Sequence, residues 1–181
     1  CIRDSSVPVH DVTYTETIEW VQHAITTGEP RQFCTVNPEF VMMAQTHSEF
    51  LRVLKNADLC LPDGQGLLWA ARWHGVALRE RVAGSTLIGL LAERAAVHGW
   101  RMFFLGAAPG VAARTAEILE RQHQDLPAIE TMEGSPRPEA AAEIVARVRA
   151  ARPDILLVAF GAPTQELWIN RHSETLHVPL M

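Results

Sequence analysis

The chain has 181 residues, of which 48% are hydrophobic and 20% charged, and its formal net charge is −5. This length and composition are typical of one globular domain with a single core and argue against a disordered chain. The negative charge argues against a general nucleic-acid binder, because such proteins cluster Lys and Arg against phosphates.

Hydrophobic periodicity and capping signals divide the first half of the chain into short strands and helices. Thr13 to Glu16 fits a capping box before a helix that ends at Gly28. Asn37-Pro38 opens a helix with proline at its first position. Ser48 and Ser85 are each predicted to cap a further helix. The predicted elements are strand 7–12, helix 13–28, strand 32–36, helix 37–45, helix 48–57, strand 59–61, helix 66–75 and helix 85–99.

The second half of the chain alternates strands and helices regularly. Strand 101–107 precedes helix 109–122, and a weaker strand at 128–134 precedes helix 138–151. The continuous apolar run 154–163 is typical of a strand buried on both faces. Strands that alternate with helices of about 10–15 residues predict βαβ units and a parallel sheet. We therefore expect a three-layer, Rossmann-like α/β fold whose mostly parallel sheet is flanked by helices.

The cysteines and the apolar runs bear on the compartment and on metal binding. Cys1, Cys34 and Cys60 are odd in number and lack metal-ligand spacing, so free thiols in a reducing cytoplasm are expected. No apolar run approaches the about 20 residues that span a bilayer, and no signal-peptide pattern opens the chain. No D-x-D pair is present to hold Mg²⁺ or Mn²⁺ against a diphosphate.

Polar residues and glycines follow four of the predicted strands. Ligands of open parallel sheets bind beyond the carboxyl ends of the strands, so these residues should meet at one rim. Asp63 stands in the turn Pro62-Asp63-Gly64, where it is either a plain turn residue or a carboxylate at the mouth of a site. The residues at the rim are Thr35 and Asn37, Asp63, Gly106 to Gly110, and Gly161 to Gln165.

Two glycine-bearing turns precede helices whose N-termini could attract an anion. In "LGAAPG" (105–110), Pro109 is predicted to begin the helix. This turn matches neither G-x-G-x-x-G nor the P-loop, so phosphate contact and plain packing stay equally open. In "FGAPTQE" (160–166), Pro163 suits a helix start and Gln165 can reach a nucleotide. Glu166 is expected to do no more than complement the helix dipole.

The segment 72–84 contains Arg72, His74, Arg79 and Arg81. A solvated basic loop is the commoner explanation, and a guanidinium clamp for a diphosphate is the functional alternative. His74 is a candidate base, although a lone His beside a helix end is more often structural. The pair Trp69 and Trp73 is interpreted as core or surface packing.

Five stretches of the chain resemble, in order and spacing, the WecG/TagA/CpsF family of glycosyltransferases (glycosyltransferase family 26). They are "TVNPEFVMMAQ", "ADLCLPDGQGLLWAAR", "RVAGSTLIGLLAE", "FFLGAAPGVAARTAEIL" and "PDILLVAFGAPTQELWI". The resemblance covers about Val7 to Leu180. It implies one glycosyltransferase domain over 1–181. Within that domain, residues 1–99 carry the catalytic aspartate, and residues 100–181 form a βαβαβ nucleotide-binding region.

The resemblance also implies an activity. Members transfer a sugar, N-acetylmannosamine or a related hexose, from a UDP-sugar to a polyprenyl-diphosphate-linked sugar, with inversion and without a metal. They build teichoic acid linkage units, capsule or exopolysaccharide at the cytoplasmic membrane face. The implied protein is cytoplasmic, peripheral to the membrane, and needs no cofactor beyond its UDP-sugar donor.

The family's proposed base falls on Asp63 of P-D-G, and Arg81 and the helix N-termini are expected to stabilise the departing UDP. The substrate-binding candidates are Thr35, Asn37, Arg81, Gly106, Gly110, Ala162 and Gln165.

Family members usually continue beyond the "HVPL" strand with a glycine-rich strand and an appendage that contacts the membrane. The chain ends at Met181, which keeps open a truncated domain that binds a UDP-sugar without transfer. Exposed apolar strand surface would also favour homo-oligomers. A dinucleotide oxidoreductase built on 101–161 is disfavoured, because "LGAAPG" lacks the glycine triad and no clearly placed acid follows for a ribose.

Overall fold

The structure is a computed structural model that describes residues 2–4 (backbone only), 7–73, 75 and 77–181. Cys1 and His74, two residues noted in the sequence, lie outside this range. The helices and strands of the described residues are β1 (Ile2–Asp4), β2 (Val7–Val9), α1 (Tyr14–Thr27), β3 (Phe33–Val36), α2 (Pro38–Thr46), α3 (Ser48–Asn56), β4 (Leu59–Pro62), α4 (Gln65–Trp73), α5 (Gly84–His98), β5 (Met102–Gly106), α6 (Val111–Gln122), β6 (Glu130–Met132), α7 (Pro138–Ala151), β7 (Ile155–Ala159) and α8 (Thr164–Leu176).

β1 and β2 pair antiparallel, and the later strands pair in parallel. β3 pairs with β4 so that Thr35 lies opposite Leu61. β5 lies between β6 and β7 and is parallel to both. Because the strands within the β3–β4 pair share one polarity, as do those within the β6–β5–β7 group, the carboxyl ends within each group lie at one edge.

The segment 179–181 joins the two groups of strands. Leu180 forms parallel bridges to Arg31, just before β3, and to Ile155 of β7. The Phe33 N–H donates to the Met181 carbonyl oxygen at 2.9 Å, continuing this ladder along β3. The strands therefore follow the order β4, β3, segment 179–181, β7, β5, β6. The predicted α/β fold with a mostly parallel sheet is confirmed.

Helices cover both faces of this sheet, because successive side chains of a strand point to opposite faces. In β5, Met102 and Phe104 pack with α1, α5 and α6 on one face. Phe103 and Leu105 pack with α7 and α8 on the other. On that second face α2, α3 and α4 cover β3 and β4 around Phe50, and α3 contacts α8. The result is the expected three layers.

Several predicted helix boundaries are confirmed by their caps. The Thr13 side chain accepts from the Glu16 N–H and the Glu16 carboxylate accepts from the Thr13 N–H, which completes the capping box of α1. Gly28 ends α1 in a left-handed conformation. The Asn37 side chain accepts from the Phe40 N–H, and Pro38 is the first residue of α2.

Three predicted helix starts are wrong. The cap of α3 is His47, whose Nδ1 accepts from the Phe50 N–H, and Ser48 lies inside the helix. Ser85 lies in the first turn of α5, which begins at Gly84 without a side-chain cap. α6 begins at Val111 and not at Pro109, because Gly110 takes a left-handed conformation (φ 76°) and the residues before it form a turn.

Two observations concern the cysteines and the length of the apolar helices. Cys34 and Cys60 are buried free thiols. None of the helices described is both long enough and apolar enough to cross a membrane.

Replacing Gly106 tests the close approach of β5 and β7. Its φ is +91°, and a Cβ there would lie 2.8 Å from the Ala159 carbonyl oxygen and from Phe160 Cδ1. Gly106→Ala should lower the free energy of unfolding by at least about 2 kcal/mol, through backbone strain and overpacking. Urea denaturation measures the change. The control is Gly89→Ala, whose new Cβ meets no atom within 4 Å. Its free energy of unfolding should equal that of the wild type or exceed it by up to about 1 kcal/mol. Equal stability of Gly106→Ala and the wild type would contradict the packing.

Candidate functional site

A cavity of about 330 Å³ opens at the carboxyl ends of β3, β5 and β7. β3 and β7 flank it, and most of its wall is apolar, with side chains such as Phe33, Leu61 and Leu157. Its polar and glycine lining is formed by Thr35, Gly84, Gly106, Thr115, Gln165 and Glu166. Three of the predicted substrate-binding residues, Thr35, Gly106 and Gln165, are therefore brought together from distant stretches of the chain.

Asp63 lies beside this cavity, held by the start of α5. Its Oδ2 accepts from the Gly84 N–H at 3.1 Å, and its Oδ1 lies 3.4 Å from Nη2 of Arg81. The Asp63 side chain is 24% exposed and that of Arg81 49% exposed. A carboxylate, a guanidinium and a helix N-terminus therefore meet at one point that solvent and a ligand can reach.

Sequence reasoning did not single out Gly84, although it lies in the R-V-x-G stretch. A Cβ at this position would lie 3.2 Å from Thr35 Cγ2 and 3.7 Å from Asp63 Oδ2. Glycine therefore lets α5 begin directly against the ends of β3 and β4. The signal available in the sequence was a glycine immediately before an apolar helix pattern.

The Pro-Asp-Gly turn is fixed by contact with the start of α2. A Cβ at Gly64 would lie 3.1 Å from Pro38 Cδ, and one at Gly66 would lie 3.0 Å from Pro38 Cγ. The Asp63 N–H donates to the Val36 carbonyl oxygen at 2.8 Å. Because Gly64 and Gly66 have no side chains, Pro38 can pack against the Pro62-Asp63-Gly64 turn. This packing fixes the direction of the Asp63 side chain.

The segment that carries Arg81 is tied to the start of α1. The Tyr14 hydroxyl accepts from the Ala83 N–H at 2.8 Å, and the Tyr14 N–H donates to Glu80 Oε2 at 2.8 Å. Arg79 pairs with Asp11 at 3.0 Å and with Glu16 at 2.7 Å. Tyr14 was missed in the sequence, because no local pattern signals a partner 69 residues away.

The predicted basic cluster therefore divides into residues with different surroundings. The hydrogen bond from Arg79 lowers the pKa of Glu16, so Arg79 belongs to a structural ion pair and not to a clamp. Among the basic residues of this cluster that the structure describes, Arg81 is the one that contacts Asp63. Arg72 lies exposed in the last turn of α4, and His74 lies outside the described residues.

The glycine turn after β5 is split between two environments. Gly106 and Ala107 line the cavity, and the Ala107 N–H donates to the Ala159 carbonyl oxygen at 2.8 Å. Gly110 is exposed, and its N–H donates to Glu133 Oε1 at 3.1 Å. A carboxylate already occupies the N-terminus of α6, which favours the packing interpretation over phosphate contact at Gly110.

At the start of α8, the partly exposed Gln165 and the buried Glu166 form a hydrogen-bonded pair. Gln165 Oε1 accepts from the Gly161 N–H at 3.0 Å, and Gln165 Nε2 donates to Glu166 Oε1 at 2.8 Å. Glu166 is 3% exposed, and its Oε2 has no partner among the described residues. Burial raises the pKa of Glu166. Glu166 lies in the first turn of α8, where an acidic residue complements the helix dipole as expected, and its buried carboxyl group also lines the cavity.

Two further candidates do not line the cavity. The Asn37 side-chain oxygen is used to cap α2. Ala162 is exposed in the turn before α8. Across the described residues, no group of three or more His, Cys, Asp or Glu side chains is arranged to hold a metal ion.

Glu166 should make the stability of the protein depend on pH. Its pKa is raised above the ordinary value of 4.5 in the folded state, so the stability it confers is full below pH 4.5 and is lost as pH rises through the folded pKa. Each unit of elevation corresponds to about 1.4 kcal/mol. Glu166→Gln keeps an acceptor for Gln165 and removes the charge, so its free energy of unfolding should fall less over this range.

Urea unfolding at several pH values between 4.5 and about 7 compares the two proteins. Glu143→Gln, an exposed change on α7, is the control and should keep the wild-type pH profile. A Glu166→Gln profile that runs parallel to the wild type would show that Glu166 ionises normally in the folded protein.

Comparison with known proteins shows which family the chain is similar to. The sequence model of the Glycosyl transferase WecG/TagA/CpsF family matches residues 2–181. The chain is 32% identical over 169 residues to an N-acetylglucosaminyldiphosphoundecaprenol N-acetyl-beta-D-mannosaminyltransferase of Bacillus spizizenii, an alignment that covers 90% of this chain and 64% of that protein. A protein of the same name from Staphylococcus aureus is 28% identical over 147 residues, covering 81% of this chain and 57% of that protein. The chain thus spans less than two thirds of the length of these relatives.

Four of the stretches that carry the family resemblance in the sequence contribute residues to this region. Asp63 comes from P-D-G-x-G, Arg81 and Gly84 from R-V-x-G, Thr35 from T-x-N-P-E and Gln165 from G-A-P-x-Q-E. Since the family match extends over residues 2–181, the chain belongs to the WecG/TagA/CpsF family of glycosyltransferases.

Proposed function

We propose that the chain is the glycosyltransferase domain of an enzyme that moves an N-acetylmannosamine-type sugar from a UDP-sugar to a polyprenyl-diphosphate-linked sugar. The observation that carries this proposal is the position of Asp63, 3.4 Å from Arg81 and bonded to the N-terminus of α5, beside a cavity lined by Thr35, Gly106 and Gln165. The names of the two relatives supply the sugar and the lipid-linked class of acceptor.

Asp63 is the general base in this proposal. Its carboxylate accepts the proton of the acceptor hydroxyl as that oxygen attacks the anomeric carbon of the donor sugar. The bond from the anomeric carbon to the UDP oxygen breaks at the same time, and UDP leaves with the bonding electrons. Attack opposite to the leaving group inverts the anomeric carbon. The proton then passes from Asp63 to solvent.

The leaving group needs positive charge, and two groups near Asp63 supply it. The Arg81 guanidinium is half exposed and can turn from Asp63 to the diphosphate, to which it can bind in bidentate fashion. The N-terminus of α5 already holds the Asp63 carboxylate through the Gly84 N–H, and the positive end of its helix dipole also favours a diphosphate that binds beside Asp63. We propose that these groups replace a metal ion at the diphosphate.

The polar lining of the cavity orients the donor. Thr35 of β3 and Gln165 of α8 line one cavity from different elements, so they can bind different portions of a sugar nucleotide. Holding the reacting atoms in line accounts for a large share of rate enhancement in such displacements. Because the acceptor carries a lipid, we further propose that the protein works at the cytoplasmic surface of the membrane as a peripheral protein.

Asp63→Asn should reduce turnover by about 10²–10⁴-fold, the usual contribution of a general base. The Asn side-chain oxygen can still accept from the Gly84 N–H, so the fold should be retained. Turnover is measured as UDP released from UDP-N-acetylmannosamine with a short-chain lipid acceptor. Asp125→Asn, an exposed change after α6, should leave the rate unchanged.

The same measurements separate transfer from mere binding. UDP should bind to the wild type and to Asp63→Asn in calorimetric titration, and NAD should bind to neither. Equal turnover in the two proteins would remove Asp63 from the role of base. UDP binding without any release of UDP by the wild type would favour a binding domain over a transferase.

Arg81→Ala should lower turnover by about tenfold or more, because one cation is lost where charge develops on the diphosphate. The affinity for UDP should fall as well, and more so at low salt, where screening of exposed charges is weak. Arg52→Ala removes an exposed arginine of α3 that is 3.8 Å from Glu49 and should change neither quantity. An unchanged rate in Arg81→Ala would assign the diphosphate to other groups.

A further inference from the structure

The solvent-facing side of α4 carries two large aromatic side chains. Trp69 is 69% exposed and Trp73 is 91% exposed. They are four residues apart, so they lie one turn apart on the same side of the helix. Leu67 and Ala71, on the opposite side, are buried. Of the two interpretations of this pair, core packing is excluded by the exposure of both rings, and a surface role needs an explanation.

The chemistry of this face fits the interface of a lipid bilayer. An exposed tryptophan leaves a large apolar ring in water, whereas at a bilayer surface the ring enters the acyl boundary and the N–H stays with the headgroups. Arg72 lies between the two tryptophans in sequence and is also exposed. A basic residue at an anionic membrane surface contributes about 1 kcal/mol. The pairing of indoles with a guanidinium suits anionic lipid.

The location of the face connects it to the site. α4 begins at Gln65, two residues after Asp63, and its start packs on Pro38 of α2. Met42 lies one turn beyond Pro38 on α2 and is 66% exposed. Both helices that carry these exposed apolar side chains therefore begin beside the turn that carries the proposed base.

The reaction supplies the reason for this placement, and this step rests on the proposed function. The diphosphate of a polyprenyl-linked acceptor lies at the level of the lipid headgroups while its chain stays in the bilayer. The acceptor hydroxyl can reach Asp63 only if a surface next to Asp63 faces the membrane.

We propose that the Trp69–Trp73 face, defined as Trp69, Arg72 and Trp73 of α4 with Met42 of α2, is the surface by which this protein docks on anionic bilayers. The tryptophans enter the interface, Arg72 meets the headgroups, and Asp63 is held at headgroup depth.

Another exposed tryptophan provides a matched comparison. Trp20 on α1 is 45% exposed, but the groove that it lines also contains Asp11, Glu16 and Glu19. Acidic side chains disfavour anionic lipid. Trp20 is therefore a control of the same residue type on a surface of the opposite charge.

The test uses the protein at its natural length and vesicles of phosphatidylglycerol and phosphatidylethanolamine. In flotation assays, the double substitution Trp69→Ala with Trp73→Ala should weaken vesicle binding by about tenfold or more, since two indoles no longer leave water. Trp20→Ala should bind as the wild type does. Circular dichroism checks that each variant is folded. Wild-type vesicle binding by the double variant would overturn the proposal.

Turnover separates this proposal from the proposed function. With a short-chain acceptor in solution, the double variant should match the wild type, and with a full-length polyprenyl acceptor in vesicles its rate should fall with its vesicle binding. If the wild type turns over neither acceptor, the proposed function fails, while flotation still decides the docking surface. If light scattering shows that the wild type self-associates through this face, and the double variant is monomeric with unchanged vesicle binding, the face is a protein interface and the proposal is overturned.

Discussion

The hydrogen bond from the Gly84 N–H to Asp63 Oδ2, 3.1 Å long, is the contact on which the site depends. It joins the turn after β4 to the first turn of α5, which has no side-chain cap of its own. Asp63 thus stabilises a helix N-terminus, and the same residue is the proposed base. The two carboxylate oxygens allow this division, since Oδ2 holds the helix while Oδ1 faces Arg81.

That bond persists only if the segment 77–84 stays near β4. Its exposed ion pairs through Arg79 are each worth about 1 kcal/mol or less. Two hydrogen bonds of Tyr14, one with Ala83 and one with Glu80, hold the segment to the start of α1 at two further points. Several weak contacts to one helix fix the segment before a ligand arrives. The backbone of Arg81 and Gly84 therefore loses its conformational entropy when the protein folds and not when the substrate binds.

Features governed by local chemistry could be read from the sequence, and features governed by distant contacts could not. The capping box at Thr13, the Asn37-Pro38 start and the meeting of strand ends follow from near neighbours and from parallel pairing. The role of Tyr14, the Glu133 carboxylate at Gly110 and the burial of Glu166 depend on residues brought together by the fold. His47 took the place of Ser48 because an imidazole nitrogen can also cap a helix, a rarer choice than serine.

The net charge of −5 constrains how the protein can approach an anionic membrane. Near the start of α1 the acidic residues Asp11, Glu16 and Glu19 outnumber Arg79, which pairs with the first two. This surface is repelled from anionic lipid, but repulsion between exposed charges is screened beyond about 8–10 Å. Apolar contact by the Trp69–Trp73 face acts at short range and does not weaken with salt. The aromatic side chains would therefore supply most of the adhesion, and the uneven charge would turn the face next to Asp63 toward the lipid.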